Sequence, residues 1–153
     1  MQRVAEHLYS IAITLWVGAL WAIGYLAAPV LFRLLDDRAL AGRVAGEMFT
    51  YVAWLGIAAA AYLLVFVALR KEGGAFRSSV FWLVLLMLLL TVAGYFGVQP
   101  ILAQLKADSF PREVMESALR DRFAAWHGVS SIVYLIQSLL GLMLVALQGR
   151  GLR

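Results

Sequence analysis

The sequence predicts an all-α integral membrane protein, a four-helix bundle that crosses the bilayer four times. Hydrophobic residues make up 63% of the 153 residues and charged residues only 14%, whereas a soluble globular chain carries about 25% charged residues. Four apolar stretches without Asp, Glu, Lys or Arg interrupt the chain. Each stretch reaches the roughly 20 residues that a helix needs to cross the hydrocarbon core.

The four predicted spans, in a single domain, are residues 8–32, 49–69, 80–103 and 125–147. Helices satisfy their own backbone groups in lipid, so an apolar stretch of this length favours a helix. A strand-built barrel would show short alternating segments instead. A disordered chain lacks this much apolar surface, and a soluble globule needs more polar residues to cover its surface.

Small residues recur along the first span at every fourth position, at Ser10, Thr14, Gly18 and Ala22. Helices in lipid associate through small residues that allow close approach. We therefore interpret this stripe as a helix-packing face, within one chain or between chains. The alternative is that it forms a groove that lines a ligand. Gly141 in the fourth span is assigned the same packing role.

Prolines stand near one end of the first and third spans, at Pro29 and Pro100. Each proline lacks a backbone donor and leaves the carbonyl four residues earlier without its usual partner. We expect each helix to end or kink there. The alternative is that a freed carbonyl, at Tyr25 or Phe96, lines a site.

The fourth span carries more polar residues than any other span. Its members His127, Ser131, Tyr134, Ser138 and Gly141 follow a 4-3-4-3 spacing and share one helix face. Gln137 lies beside them near the middle of the span. Polar groups are costly in lipid when they lack partners, so this face is predicted to point into the bundle. It either fixes the packing through interhelical hydrogen bonds or lines a polar pocket for a small ligand. The ligand candidates are His127, Ser131, Tyr134, Gln137 and Ser138.

The net charge of +4 indicates membrane orientation rather than nucleic-acid binding. Basic residues concentrate on the cytoplasmic side of membrane proteins. The tight connection at 70–78 holds three of them, Arg70, Lys71 and Arg77, whereas the basic residues of the two longer connections are balanced by acids. We expect both termini in the cytoplasm of a bacterium, with the protein in the inner membrane. The expected partners are the lipid bilayer and either another membrane protein or a second copy of the chain.

The two histidines, His7 and His127, raise the question of haem b or a metal. A bis-histidine haem would need both side chains at one iron. However, His7 begins the first span and His127 begins the fourth, so the two should lie roughly 30 Å apart on opposite membrane sides. A haem held by one histidine remains open. The chain has no cysteine, and catalytic zinc needs about three protein ligands.

Four short motifs stand out in the sequence: LWVGAL at 15–20, AAPVLF at 27–32, RVAGEMF at 43–49 and FAAWHGVSS at 123–131. Together they resemble a bacterial membrane family of unknown function that is related to a eukaryotic TMEM protein linked to cisplatin resistance. The family is distantly similar to the copper-resistance (CopD-like) and HemJ-like membrane bundles, of which the HemJ-like proteins bind haem. That similarity implies a four-helix membrane fold and a haem-ligating histidine in the first span. His7 stands nine residues before Trp16, whereas the relatives have seven, and Tyr9 occupies the closer position.

The sequence favours a non-enzymatic role. No P-loop, dinucleotide fingerprint or G-x-S-x-G elbow is present, and intramembrane carboxylates typical of proton-coupled carriers are lacking. We expect an accessory or binding protein, or one that handles a small solute such as a metal compound. One alternative is a haem- or metal-binding redox protein. The other is a structural subunit of a larger membrane complex.

Overall fold

The computed structural model describes residues 2–70, 74–107 and 117–152, which form four long helices. The first helix runs through Gln2–Trp21, Ala22–Ala27 and Ala28–Leu34. The second is Arg38–Arg70. A 3-10 turn at Ala75–Arg77 leads to the third helix, which runs through Ser79–Val92, Ala93–Val98 and Gln99–Ala107, and the fourth is Ser117–Leu152. All four are long and apolar enough to cross a membrane, which confirms the predicted fold class.

The helices pack in sequence order around a common core, each against the one before and the one after, and the fourth closes against the first. The first helix buries Tyr9, Ile13, Trp16 and Leu20 at 4-3-4 spacing, together with Val17. This spacing keeps one face of a helix directed inward. Large apolar residues occupy both the inner and the outer faces of the bundle.

Two glycines let the helices approach closely in the core. Gly56 lies against the Trp16 indole, so that a Cβ atom there would stand 2.5 Å from Nε1. A Cβ atom on Gly141 would stand 3.3 Å from Val17. Close backbone approach through small residues is the main route to helix association in lipid. Gly141 thus lies at a contact between the fourth and first helices.

Hydrogen bonds join the helices at the end of the bundle that holds residues 2 and 152. The Tyr9 hydroxyl donates to the carbonyl of Gln148 at 3.1 Å, and the Tyr62 hydroxyl donates to the carbonyl of Ala5 at 2.9 Å. An ion pair between Arg70 and Glu6, at 2.6 Å, links the first and second helices. The opposite end therefore contains residues 34–38 and the start of the fourth helix.

The first and third helices each contain one π-helical section, and each section precedes a proline. The amide of Ala28 donates to the carbonyl of Ile23, and the amide of Gln99 donates to the carbonyl of Gly94. In both cases the next residue is the proline. The expectation that a helix ends at Pro29 or Pro100 is wrong, because both helices continue, to Leu34 and Ala107. A widened turn with a hydrogen bond across five residues accommodates each proline.

Candidate functional site

A cavity of about 550 Å³ lies between the four helices. Its wall includes both π-helical sections, through Gly24, Tyr25, Gly94 and Tyr95. Such sections often occur at functional sites because the widened turn redirects backbone and side chains. Most of the wall is apolar or aromatic, and its side chains include no Asp, Glu, Lys or Arg.

Gln137 is the most deeply buried polar side chain of the cavity wall, at 4% exposure. Its Nε2 donates to the carbonyl of Met87 at 3.1 Å and to the Thr91 hydroxyl at 2.9 Å. Its Oε1 is buried and has no hydrogen-bond partner among the described residues. Buried polar atoms are rarely left in this state. Oε1 of Gln137 is therefore a buried acceptor beside the cavity, with almost no accessible surface of its own.

Tyr134 crosses the cavity from the fourth helix to the first. Its hydroxyl donates to the carbonyl of Leu20 at 2.6 Å, and its ring packs edge-on to Phe49 with the ring centroids 5.2 Å apart. The ring lies so close to Gly24 that an added Cβ atom there would overlap it. The absence of a side chain at Gly24 thus makes room for Tyr134.

Ser138 is fully buried but lies outside the residues that form the cavity wall. Its hydroxyl donates to the carbonyl of Tyr134 at 2.8 Å, and its own carbonyl accepts a bond from the Trp21 indole at 3.3 Å. Ser138 therefore joins the fourth helix to the first.

His127 and Ser131 belong to the cavity wall and are also exposed. The Ser131 hydroxyl donates to the carbonyl of His127 at 2.9 Å, and the imidazole stacks on Phe123 with the ring centroids 5.9 Å apart. Other residues that are both exposed and part of the wall are Tyr25, Pro29, Phe32 and Leu135. They belong to the first and fourth helices, so the cavity opens between these two helices.

His7 lies far from this cavity. Its Nδ1 is 2.6 Å from the carbonyl oxygen of Arg3, at the end of the bundle where Tyr9 contacts Gln148. His127 is separated from Gln148 by about 32 Å of continuous helix, at 1.5 Å per residue. The two histidines cannot ligate one haem iron. Within the described ranges, no three His, Asp or Glu side chains lie close enough together to hold a metal ion.

The small-residue stripe of the first helix lies mainly on the outside of the bundle. Thr14, Gly18 and Ala22 are exposed and Ser10 is half-buried. A Cβ atom on Gly18 would meet no described atom within 4 Å. The Thr14 hydroxyl donates to the carbonyl of Ser10 at 2.9 Å. Within this chain, the stripe is therefore not the main contact face of the first helix. The main contact face is formed by the buried side chains of Tyr9, Ile13, Trp16 and Leu20.

The cavity residues that sequence reasoning missed include Trp16, Thr91 and Gly94. Trp16 is fully buried, and its Nε1 has no partner among the described residues. The Thr91 hydroxyl accepts a hydrogen bond from the Gln137 amide. Its position as a single polar residue in an apolar run could have marked it as a partner for another polar side chain. The signal for Gly94 was its position six residues before Pro100, close to that of Gly24 before Pro29.

The family described as a domain of unknown function (DUF4149) matches residues 11–111. The match covers most of the first three helices and ends before the fourth begins. Neither the curated proteins nor the solved structures gave a match.

Proposed function

The chain belongs to the DUF4149 family, and we propose that it binds an uncharged, largely apolar small molecule in the cavity between its four helices. The position of the cavity between all four helices, with a wall that is mostly apolar or aromatic, supports this proposal most directly. Concave apolar pockets with a few polar groups are the usual form of small-molecule sites. The volume of about 550 Å³ lies within the range of roughly 300–1,000 Å³ typical of small-molecule pockets.

The chemistry of the wall favours an uncharged ligand. Its side chains supply rings and small polar groups but no formal charge to pair with a charged ligand. Burying an unpaired charge in a low-dielectric site is very costly. The opening between the first and fourth helices would face lipid in a bundle that spans the bilayer, so the ligand would arrive from the membrane.

The hydrogen bonds favour binding over catalysis. The Ser131 hydroxyl donates to the backbone carbonyl of His127 and not to its imidazole. A serine nucleophile needs a base within hydrogen-bond reach. A metal compound, the solute class that the cisplatin-linked relatives imply, would find one imidazole, that of His127, among the wall residues. An organic molecule fits this wall better.

Two glycines of one π-helical section provide a matched test. A Cβ atom on Gly94 or on Gly97 would meet no described atom within 4 Å, but only Gly94 belongs to the cavity wall. We expect Gly94→Leu to fill part of the cavity, whereas Gly97→Leu adds the same side chain outside it. Both variants should fold, because neither position is crowded.

The measurement is native mass spectrometry of the protein released from its own membranes. Wild type and Gly97→Leu should retain a small non-protein molecule, and Gly94→Leu should lose most of it. Equal retention in all three proteins would contradict the proposed site. A wild-type protein that carries no such molecule would contradict the proposed function.

A structural role in a larger assembly is the second candidate. The observation that favours it is the exposed stripe of Thr14, Gly18 and Ala22, since small residues mediate helix association in lipid. Gly18→Leu, in the open space around Gly18, should then shift the protein to a smaller species on a native gel. Migration of wild type as a free monomer in mild detergent would exclude this role.

A further inference from the structure

We infer that the ligand of this cavity is an uncharged single-chain amphiphile, which lies along the bundle with its polar end between Gln99 and His127. This inference rests on the proposed function and specifies the class of molecule. A monoacylglycerol has this chemistry. Plain hydrocarbons and charged amphiphiles such as fatty-acid anions are excluded as preferred ligands.

The cavity has two ends along the bundle axis. One end, the floor, is bordered by Trp16, Thr91 and Gln137, where the Gln137 amide bonds to Thr91 at 2.9 Å. The third helix leaves the end of the bundle that holds residues 2 and 152, and the fourth helix returns to it. From the floor toward the opposite end, Gln99 lies about 12 Å along the third helix and His127 about 15 Å along the fourth. These two residues therefore border a common second end, the mouth.

At the floor, the hydrogen-bonding groups are already bonded or have almost no accessible surface. The amide hydrogens of Gln137 go to Met87 and Thr91, and the Thr91 hydroxyl donates to the same Met87 carbonyl at 2.9 Å. Oε1 of Gln137 and Nε1 of Trp16 have no partner among the described residues, but almost no accessible surface either. A ligand therefore meets an almost wholly apolar floor, to which Leu20, Val52 and Leu90 also contribute.

Three tyrosines lie between the floor and the mouth. The Tyr134 hydroxyl donates to the carbonyl of Leu20. The Tyr95 hydroxyl is turned to Trp54, from whose indole it accepts a bond at 3.3 Å, and Trp54 is outside the cavity wall. Tyr25 borders the opening between the first and fourth helices. The middle of the cavity is therefore lined mainly by rings.

The mouth is the polar end of the cavity. Gln99 and His127 belong to the wall, and neither side chain donates to or accepts from a side chain at the floor; among the described residues they have no cross-helix hydrogen bond. Ser130 and Ser131 add two hydroxyl groups beside His127. An amide and a neutral imidazole each offer a donor and an acceptor. The mouth can therefore bind the hydroxyl groups of an uncharged polar head.

The mouth also lies at the boundary of the membrane core. His127 is near the start of the apolar stretch at 125–147, directly after the charged residues Asp121 and Arg122, whereas Gln137 is near its middle. A stretch of this length matches the thickness of the hydrocarbon core. A ligand with its head at His127 and its chain toward Gln137 is thus oriented like a lipid of the surrounding leaflet. It can enter between the first and fourth helices without turning over.

The shape and charge of the cavity favour one uncharged chain. Its volume of about 550 Å³ extends over the roughly 15 Å between the levels of Gln137 and His127, so it is elongated along the bundle. The wall has no Lys or Arg to pair with an anionic head and no Asp or Glu to pair with a cationic one. A hydrocarbon would displace water from the mouth without replacing its hydrogen bonds, which lowers affinity.

Two photoreactive forms of 1-monolauroylglycerol test the orientation. One carries a diazirine at the end of its acyl chain and the other on its glycerol. Each is added to the protein in lipid nanodiscs, and the labelled residues are identified by peptide mass spectrometry. In wild type and Gly97→Leu, the chain probe should label Trp16, Leu20 or Leu90, and the glycerol probe should label Gln99 or His127. Gly94→Leu, which fills part of the cavity, should lose most of both labels.

Competition with unlabelled compounds of equal chain length tests the polar head. At equal concentration in the nanodisc, 1-monolauroylglycerol should displace the chain probe about tenfold better than dodecane or than dodecanoate at alkaline pH, as expected for one net hydrogen bond. In the double variant Gln99→Leu with His127→Leu, 1-monolauroylglycerol and dodecane should compete within about twofold of each other. Chain-probe labelling of the floor in this variant shows that it is folded and that its cavity is intact.

The outcomes separate this inference from the proposed function. Exchanged labels, or equal competition by dodecane or dodecanoate in wild type, would overturn the inference. So would a preference that persists in the double variant. If wild type retains a molecule in the native mass spectrum but Gly94→Leu keeps both labels, the inference fails and the proposed function stands. If wild type retains no molecule, the proposed function itself fails.

Discussion

At the scale of single residues, the cavity depends on where the fourth helix directs its polar side chains. Gln137 turns inward and bonds to the third helix through Met87 and Thr91. Tyr134 turns inward and bonds to the first helix through the carbonyl of Leu20. Each bond crosses between helices and fixes one rotation of the fourth helix relative to its neighbours. The same rotation holds the unpaired Oε1 in the wall of the cavity.

Gly24 is the residue most sensitive to an added methyl group. Gly24→Ala should destabilise the protein by about 1–3 kcal/mol, the usual range for overpacking, because the new Cβ atom overlaps the Tyr134 ring. The thermal midpoint in detergent should fall accordingly. Gly18→Ala on the same helix is the control, since its Cβ atom enters open space. A Gly24→Ala midpoint equal to that of the control would show that Tyr134 does not pack as described.

Part of this residue-scale picture was predictable. The cost of unpartnered polar groups in lipid predicts that Gln137 and Tyr134 face inward. Their partners were not predictable, because Leu20 and Met87 accept through backbone carbonyls, which leave no trace in side-chain patterns. The unpaired state of Oε1 depends on the relative rotation of the helices, which the periodicity of one helix does not specify. The functional role of these residues stays a prediction.

At the scale of elements, the second helix begins at a conventional cap. Oδ1 of Asp37 accepts hydrogen bonds from the amides of Ala39, at 2.8 Å, and Leu40, at 3.0 Å. A side-chain acceptor at this position satisfies amides that have no partner within the helix. The cap lies between the first and second helices, at the end of the bundle closer to the cavity.

Removing this cap should weaken the bundle without touching the cavity wall. Asp37→Ala should lower the free energy of unfolding by about 0.5–2 kcal/mol, the range for a lost N-cap. Asp36→Ala is the matched control because it removes the neighbouring carboxylate and keeps the cap. Chemical unfolding in detergent provides the comparison. Equal stability of the two variants would show that the Asp37 cap contributes nothing.

The elements also show which features the hydrophobic pattern of the sequence does not predict, namely the helix geometry before the prolines. Four charge-free stretches were enough to predict four helices, because lipid leaves the backbone little choice. The prolines predict an end or a kink; neither helix ends there, and a π-helical section, Ala22–Ala27 or Ala93–Val98, precedes each proline. Loss of a donor at Pro29 or Pro100 is evident from the sequence. The widened turn that precedes each proline is not evident, because a normal and a widened turn are compatible with the same apolar pattern.

At the scale of the whole molecule, interhelical hydrogen bonds and an ion pair join the helices at one end of the bundle. The cavity lies toward the other end. Tyr9, Tyr62 and Arg70 tie the helices together near residues 2 and 152. Toward the opposite end, the first and fourth helices leave the opening that Tyr25, Phe32 and His127 border.

The proposed orientation is testable because the chain has no cysteine. Single cysteines at Asp36 and Gly74 mark the two ends of the bundle. In intact bacterial cells, a membrane-impermeant thiol reagent that crosses the outer membrane should label Asp36→Cys. It should label Gly74→Cys only after the inner membrane is permeabilised, because the basic residues flanking Gly74 favour the cytoplasm. The reverse pattern would place the termini and the tight basic connection outside.

The most direct test of the account is an experimental structure of the wild-type protein purified from its own membranes in lipid. Non-protein density is expected in the cavity of about 550 Å³, against the aromatic side chains of its wall. Side chains that fill this space, or a cavity without such density, would contradict the proposed function.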